Sequence, residues 1–195
     1  MNPDKHNFYL PPNPHQETEP EKSEKEILWE QSRLETDKIT DGLGLGIDEK
    51  IKEAVTALKV HEFSTSQSCE GHIHEGTDEE QKHGVAYPWV EIYAPEPEGW
   101  EEDEQKKKTW IEKNIRQQER MKELVDEFYN GRETPSDARL VFHTIGIFGG
   151  FRIQSSGAEN TRAFPPEKQK EKLELYRKEM NDFTQFLKTK HFLEK

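Results

Sequence analysis

Residues 138–155 read A-R-L-V-F-H-T-I-G-I-F-G-G-F-R-I-Q-S, two apolar runs rich in β-compatible residues on either side of a glycine pair. Runs of this length divided by Gly-Gly predict an antiparallel hairpin, with Gly149-Gly150 as a two-residue turn of the primed type. His143 and Arg152 each interrupt an apolar run. They lie either on the exposed face of a sheet or on the same side as a binding site, where the Arg152 fork suits a carboxylate or a phosphate.

Upstream of the hairpin, residues 101–130 form a charged helical pattern with Ile111, Ile115, Leu124, Val125 and Phe128 as its apolar markers. Asn130-Gly131 stops the pattern and Pro135 prevents its continuation. Downstream, after Pro165-Pro166, the positions Leu173, Tyr176, Met180, Phe183 and Leu187 draw one apolar stripe down a helix, widened by Phe186.

Further upstream, V-A-Y-P-W-V-E-I-Y-A predicts a strand that either begins at Trp89 or lies on a sheet edge, because Pro88 cannot donate to a ladder. F-S-T-S-Q-S-C, residues 63–69, predicts another strand. Before it, Asp48 is an N-cap candidate for a helix to about His61 whose apolar face is Ile51, Ala54, Val55 and Leu58. The stretch D-G-L-G-L-G-I-D lacks the spacing and the basic partner of a phosphate loop. It is expected to be a tight connection with Leu43, Leu45 and Ile47 against the core. Ser23 and Glu26 have capping-box spacing and open a helix with Ile27, Leu28 and Leu34 at helical intervals. Residues 1–22 carry five prolines among polar residues and are expected to be a disordered tail.

The resulting order is helix, helix, strand, strand, helix, strand, strand, helix. The expected fold is one α+β domain over residues 23–195, a two-layer sandwich with a mostly antiparallel four-stranded sheet and helices on one face.

Across 195 residues, 40 acidic side chains outweigh 28 basic ones, for a formal net charge of -12. That balance disfavours general nucleic-acid binding, which depends on release of counterions from phosphates. A single cysteine excludes an intrachain disulfide, and no signal-peptide pattern or bilayer-length apolar run is present. A cytoplasmic protein without membrane contact is expected, with a small molecule or another protein as partner.

The lone Cys69 lies in T-S-Q-S-C-E-G-H, residues 65–72. Cys69 and His72 stand three apart, Gly71 permits a tight turn, and His74 and His83 follow in the next loop. A thiolate with imidazoles suits a divalent metal such as zinc, with Cys69, His72, His74 and His83 as ligands and Glu70 as a proton-transfer group or a further ligand. Alternatively Cys69 is a nucleophile and His72 its base, giving Cys69, Glu70 and His72 as the catalytic set. A third possibility is structural, a buried thiol in a turn braced by Ser66, Ser68 and Glu70. If the strand with Tyr87 and Trp89 pairs with residues 63–69, Ser68, Gly71, Tyr87 and Trp89 join His143 and Arg152 around a ligand, or the two aromatics serve the core.

The run G-I-D-E-K-I-K-E-A-V-T-A-L, the turn T-S-Q-S-C-E-G-H and the strand Y-P-W-V-E-I together resemble a group of uncharacterised bacterial proteins with a Ser-Cys-Glu-Gly-His turn and a Pro-Trp-Val strand. The likeness extends to R-L-V-F, F-R-I-Q-S and the closing F-L-K-x-K-x-F. A more distant resemblance is to the wybutosine-synthesising methyltransferase-like family, whose Thr-Ser-Ser-Cys-Ser-Gly-Arg turn matches Thr65, Ser68, Cys69 and Gly71. That resemblance implies S-adenosylmethionine and an RNA substrate. Gln67, Glu70 and His72 depart from its pattern. The functional alternatives are therefore a ligand or metal site at the turn, a non-catalytic protein-interaction module, and an S-adenosylmethionine-dependent RNA-modifying enzyme.

Overall fold

The structure, a computed structural model, describes residues 22–41, 43–73 and 85–193. The expected tail lies outside them apart from Lys22. Helix α1 spans Glu24–Thr36, α2 Lys52–Val60, α3 Glu104–Phe128 and α4 Pro166–Leu193. Strands β1 (Thr65–Cys69), β2 (Trp89–Ile92), β3 (Leu140–Ile145) and β4 (Gly150–Ser155) form one antiparallel sheet in the order β1-β2-β4-β3. The α+β class, the four antiparallel strands and the packing of helices on the sheet are as expected. Among the described residues no helix is long and apolar enough to cross a membrane.

Register decides which side of the sheet is buried. Val90 pairs with Ile153, Ile92 with Phe151 and Phe142 with Ile153, so these side chains share one face. They join Ile51 just before α2, Val55 and Leu58 of α2, Met121 and Val125 of α3, and Met180, Phe183 and Leu187 of α4 in one apolar cluster. The α4 stripe is buried as its spacing requires, with Tyr176 fully inaccessible. Trp89, Glu91, Arg152 and His143 occupy the opposite face. β2 begins at Trp89 in the interior of the sheet, so Pro88 stands just outside the ladder and removes no bond from it.

Several elements differ from expectation. The hairpin loop is Gly146–Gly149 rather than Gly149-Gly150, because Gly150 belongs to β4 and pairs with Ile145. A Cβ on Gly150 would meet the Tyr93 ring at 1.9 Å, so glycine is there to admit that ring. The loop also delivers Phe148 to Trp110, where the rings stack at 5.0 Å. Helix α1 carries its predicted capping box, yet Ile27, Leu28 and Leu34 are exposed while Trp29, Ser32 and Thr36 are buried. In α3 the buried line runs through Trp110, Asn114, Gln117, Met121 and Val125, and Ile115 is exposed. Asn114 accepts from the Ala94 N–H at 2.7 Å and donates to the Phe148 carbonyl at 2.9 Å, while Gln117 accepts from the Ser64 N–H at 2.7 Å. These amides occupy buried positions because loop backbone there needs partners. Leu43 and Leu45 are exposed, and of the three only Ile47 packs on the core. The connection is instead held by Asp41, whose carboxylate accepts from the N–H groups of Leu43 and Leu45, both at 2.8 Å.

Candidate functional site

Strand β1 is one edge of the sheet, and residues 39–41 and 45–48 lie beside it. Between them lies a cavity of about 760 Å³, reached by Asp48, Cys69, His72, Trp89 and Arg152 among others. That volume is in the range of small-molecule sites.

The end of β1 turns sharply at Gly71, whose φ of +81° is the left-handed region. A Cβ here would stand 2.6 Å from Leu173 Cδ1 and 2.7 Å from the Tyr87 carbonyl carbon, so the position lacks room for a side chain as well. Arg177 of α4 clamps the turn. Its Nη2 donates to the Gly71 carbonyl at 2.7 Å and to Glu70 Oε1 at 3.2 Å, and its Nε donates to the Glu70 carbonyl at 3.0 Å. The His72 N–H donates to the Val85 carbonyl at 2.8 Å, which fixes the far side of the turn against the approach to β2.

This geometry points Cys69 and His72 to one side and Glu70 to the other. The Glu70 carboxylate accepts from the Lys50 N–H at 3.0 Å and faces a separate hollow of about 460 Å³ shared with Arg177. It is absent from the group that converges on the sulfur. That group is completed by Asp48, which the sequence suggested only as a helix cap. Asp48 makes no side-chain cap bond. Its Oδ2 instead accepts from the Glu70 N–H at 3.0 Å and lies 3.1 Å from His72 Nε2. One ligand atom each from Asp48, Cys69 and His72 lie within 4.8 Å of one another.

Comparison with protein-family models, with curated proteins and with solved structures yields no match. The chemistry of this place must therefore be read from its own atoms.

Burial pushes the Cys69 thiol above its ordinary value, and Asp48 pushes the same way, against lowering hydrogen bonds from the backbone at Gly71 and Val85. A nucleophilic cysteine is usually prepared by the opposite environment, electropositive and lowering. A carboxylate, a thiol and an imidazole held together are the donors that a borderline-soft divalent cation takes.

The remaining predicted residues separate into two groups. Ser68, Trp89 and Arg152 border the cavity. The Arg152 guanidinium lies 3.8 Å above the Trp89 ring centroid, and its Nη2 donates to Glu91 Oε2 at 3.5 Å. Tyr87 is buried elsewhere, against Ala138, Ala158 and Tyr176, with its hydroxyl 3.5 Å from Glu159. His143 pairs with Arg152 across the strands but is exposed on β3, away from the cavity. His74 and His83 lie outside the described residues.

Asp48, read from the sequence only as a helix cap, and Arg177 are the two contributors not expected at this site. Asp48 follows a glycine-rich connection and precedes a helix, where a cap is the ordinary use. Arg177 stands among the charged residues that alternate with the α4 stripe, and no local signal distinguishes it.

Proposed function

We propose that this protein binds a divalent cation of the zinc class through Asp48, Cys69 and His72 and presents it to a small molecule in the adjoining cavity. The observation that carries this reading is the convergence of the three donor types within 4.8 Å on the wall of that cavity. A tetrahedral cation with bonds of about 2.0–2.3 Å keeps its ligands roughly 3–4 Å apart, so modest rotamer changes bring the cluster to coordination. With three protein ligands, the cation would polarise a bound oxygen or carbonyl at its fourth position, the arrangement of an enzyme rather than of a structural zinc.

The chain's own residues supply the rest of the site. Arg177 and Gly71 hold the turn so that sulfur and imidazole face the same point. Trp89 and Arg152 wall the ligand side. Glu70, engaged by Arg177 and Lys50, supports the turn in this reading rather than moving protons.

Cobalt substitution tests the proposal. The cobalt-loaded, untagged chain is expected to show an intense thiolate-to-metal absorption band, which Cys69→Ser abolishes and Asp48→Ala weakens or shifts. A spectrum identical to that of hydrated cobalt would refute it. A protein-interaction module is the second reading, and it draws on the exposed Ile27, Leu28 and Leu34 of α1. In that reading Leu34→Glu alters association measured by light scattering and leaves the cobalt spectrum unchanged. The S-adenosylmethionine reading rests on the resemblance of the turn alone.

A further inference from the structure

We infer that the cavity takes a small carboxylic acid, whose carboxylate pairs with Arg152 while its other end reaches the Asp48–Cys69–His72 cluster. The second half rests on the metal reading above; the first does not.

Arg152 projects from the face of the sheet opposite the core and, paired with Glu91 of β2, lies over the ring of Trp89 two positions earlier on that strand. Trp89 is in turn the cross-strand partner of Cys69. The guanidinium therefore sits one side chain away from the sulfur, within the same cavity. Its side chain is only 22% exposed, and its contact with Glu91 is long at 3.5 Å. Glu91 is shared, since its other oxygen accepts from Ser66 Oγ at 2.9 Å. Arg152 Nε is buried and has no hydrogen-bond partner among the described residues. A guanidinium carries five N–H donors, and a buried donor without a partner is costly, so this one is underused. Its place over the Trp89 ring restrains the guanidinium, and the side chain lines the cavity that a ligand would enter.

Charge selects among oxyanions. A divalent cation would offset the Asp48 carboxylate and the Cys69 thiolate, which leaves the Arg152 guanidinium, 3.5 Å from Glu91, as the remaining cation, with Asp41 also on the cavity lining. One cation among two carboxylates gives no surplus positive charge to hold a dianion, so a single negative charge is the less repelled of the two, and the net charge of -12 acts in the same direction. A carboxylate is therefore favoured over a phosphate. The cavity, at about 760 Å³, also exceeds the needs of an isolated anion and leaves room for a body spanning Arg152 and the cluster.

Thiol-bearing probes separate the two ends. Cobalt-loaded full-length chain is titrated with 3-mercaptopropionate and with 1-propanethiol, following the change in the thiolate-to-metal band. The carboxylate should tighten binding about tenfold to a hundredfold, the range of a charge-assisted hydrogen bond. Arg152→Gln should bring the ratio to near one without changing the band of the unliganded protein, and Arg152→Lys should restore part of it. A ratio near one in the native chain, or inorganic phosphate competing better than propionate, overturns the inference. Absence of any thiolate-to-metal band before ligand is added refutes the metal reading instead. The Arg152 contact is then read by calorimetric titration of the metal-free chain with propionate, where equal binding to the native chain and to Arg152→Gln, or none to either, overturns it.

Discussion

Replacing Gly71 with alanine tests whether the turn is as tightly built as its contacts require. Two costs arise. A side chain at φ +81° carries the left-handed penalty, about 1–2 kcal/mol. The added Cβ would also stand 2.6 Å from Leu173 Cδ1 and 2.7 Å from the Tyr87 carbonyl carbon. Leucine can rotate away, but the Tyr87 backbone is tied into the approach to β2, so relief requires a shift of the turn itself. Overpacking of this kind costs about 1–3 kcal/mol. The expected loss is about 3 kcal/mol, or roughly 6–12 °C in midpoint for a chain of this size. Gly131 is the internal control: its φ is +72°, and a Cβ there would have nothing within 4 Å. Gly131→Ala should lose only the backbone part. Thermal unfolding followed by circular dichroism measures both. If Gly71→Ala falls no further than Gly131→Ala, the close packing of the turn on Tyr87 and Leu173 is refuted.

Other consequences can be checked separately. Asn114→Ala leaves the buried Ala94 N–H and the Phe148 carbonyl without their partner, and the urea midpoint should fall by an amount equivalent to about 2–4 kcal/mol with an unchanged m-value. The Lys172 ammonium, with help from the Tyr176 hydroxyl, holds the Asp137 carboxyl below its ordinary value of 3.8 against the opposing effect of burial. Its folded pKa lies below its unfolded one, so this stabilisation is present above about pH 4 and is lost as pH falls through the folded value; Asp137→Asn should flatten the stability profile in that acid range. Burial first, then Asp48, raises the Cys69 thiol, so in metal-free protein the pH midpoint of thiol alkylation should lie above that of a free cysteine and move down in Asp48→Asn.

The parts of this fold that could be read from the chain are those where a single pattern had no competitor. In α4, Leu173 to Leu187 form the one continuous apolar line, and it is the line that is buried. In α1 two lines compete, and the one through Trp29 faces inward because that ring meets His191 and Phe192 of α4. Hydropathy would choose Ile27 and Leu34; tertiary position chose otherwise. In α3, the loop amides at Ser64 and Ala94 call for buried acceptors, so Gln117 and Asn114 replace the isoleucines that the pattern favoured. The hairpin turn moved because the sequence cannot show that Tyr93 needs the space at Gly150. At the site, Cys69, Gly71 and His72 are local and visible as a group. Asp48 and Arg177 are separated from them by 21 or more positions along the chain, and only the folded arrangement brings a carboxylate to the sulfur and a guanidinium to the turn.

Asp48, Cys69 and His72 are proposed to form one cation site. The most direct test is elemental analysis of untagged protein after equilibration with zinc and removal of unbound metal, in parallel with Asp48→Ala and Cys69→Ser. Close to one zinc per chain is expected in the native protein and substantially less in both variants, with each variant still folded by circular dichroism. Native protein that retains no zinc, or variants that retain as much as the native chain, would contradict it.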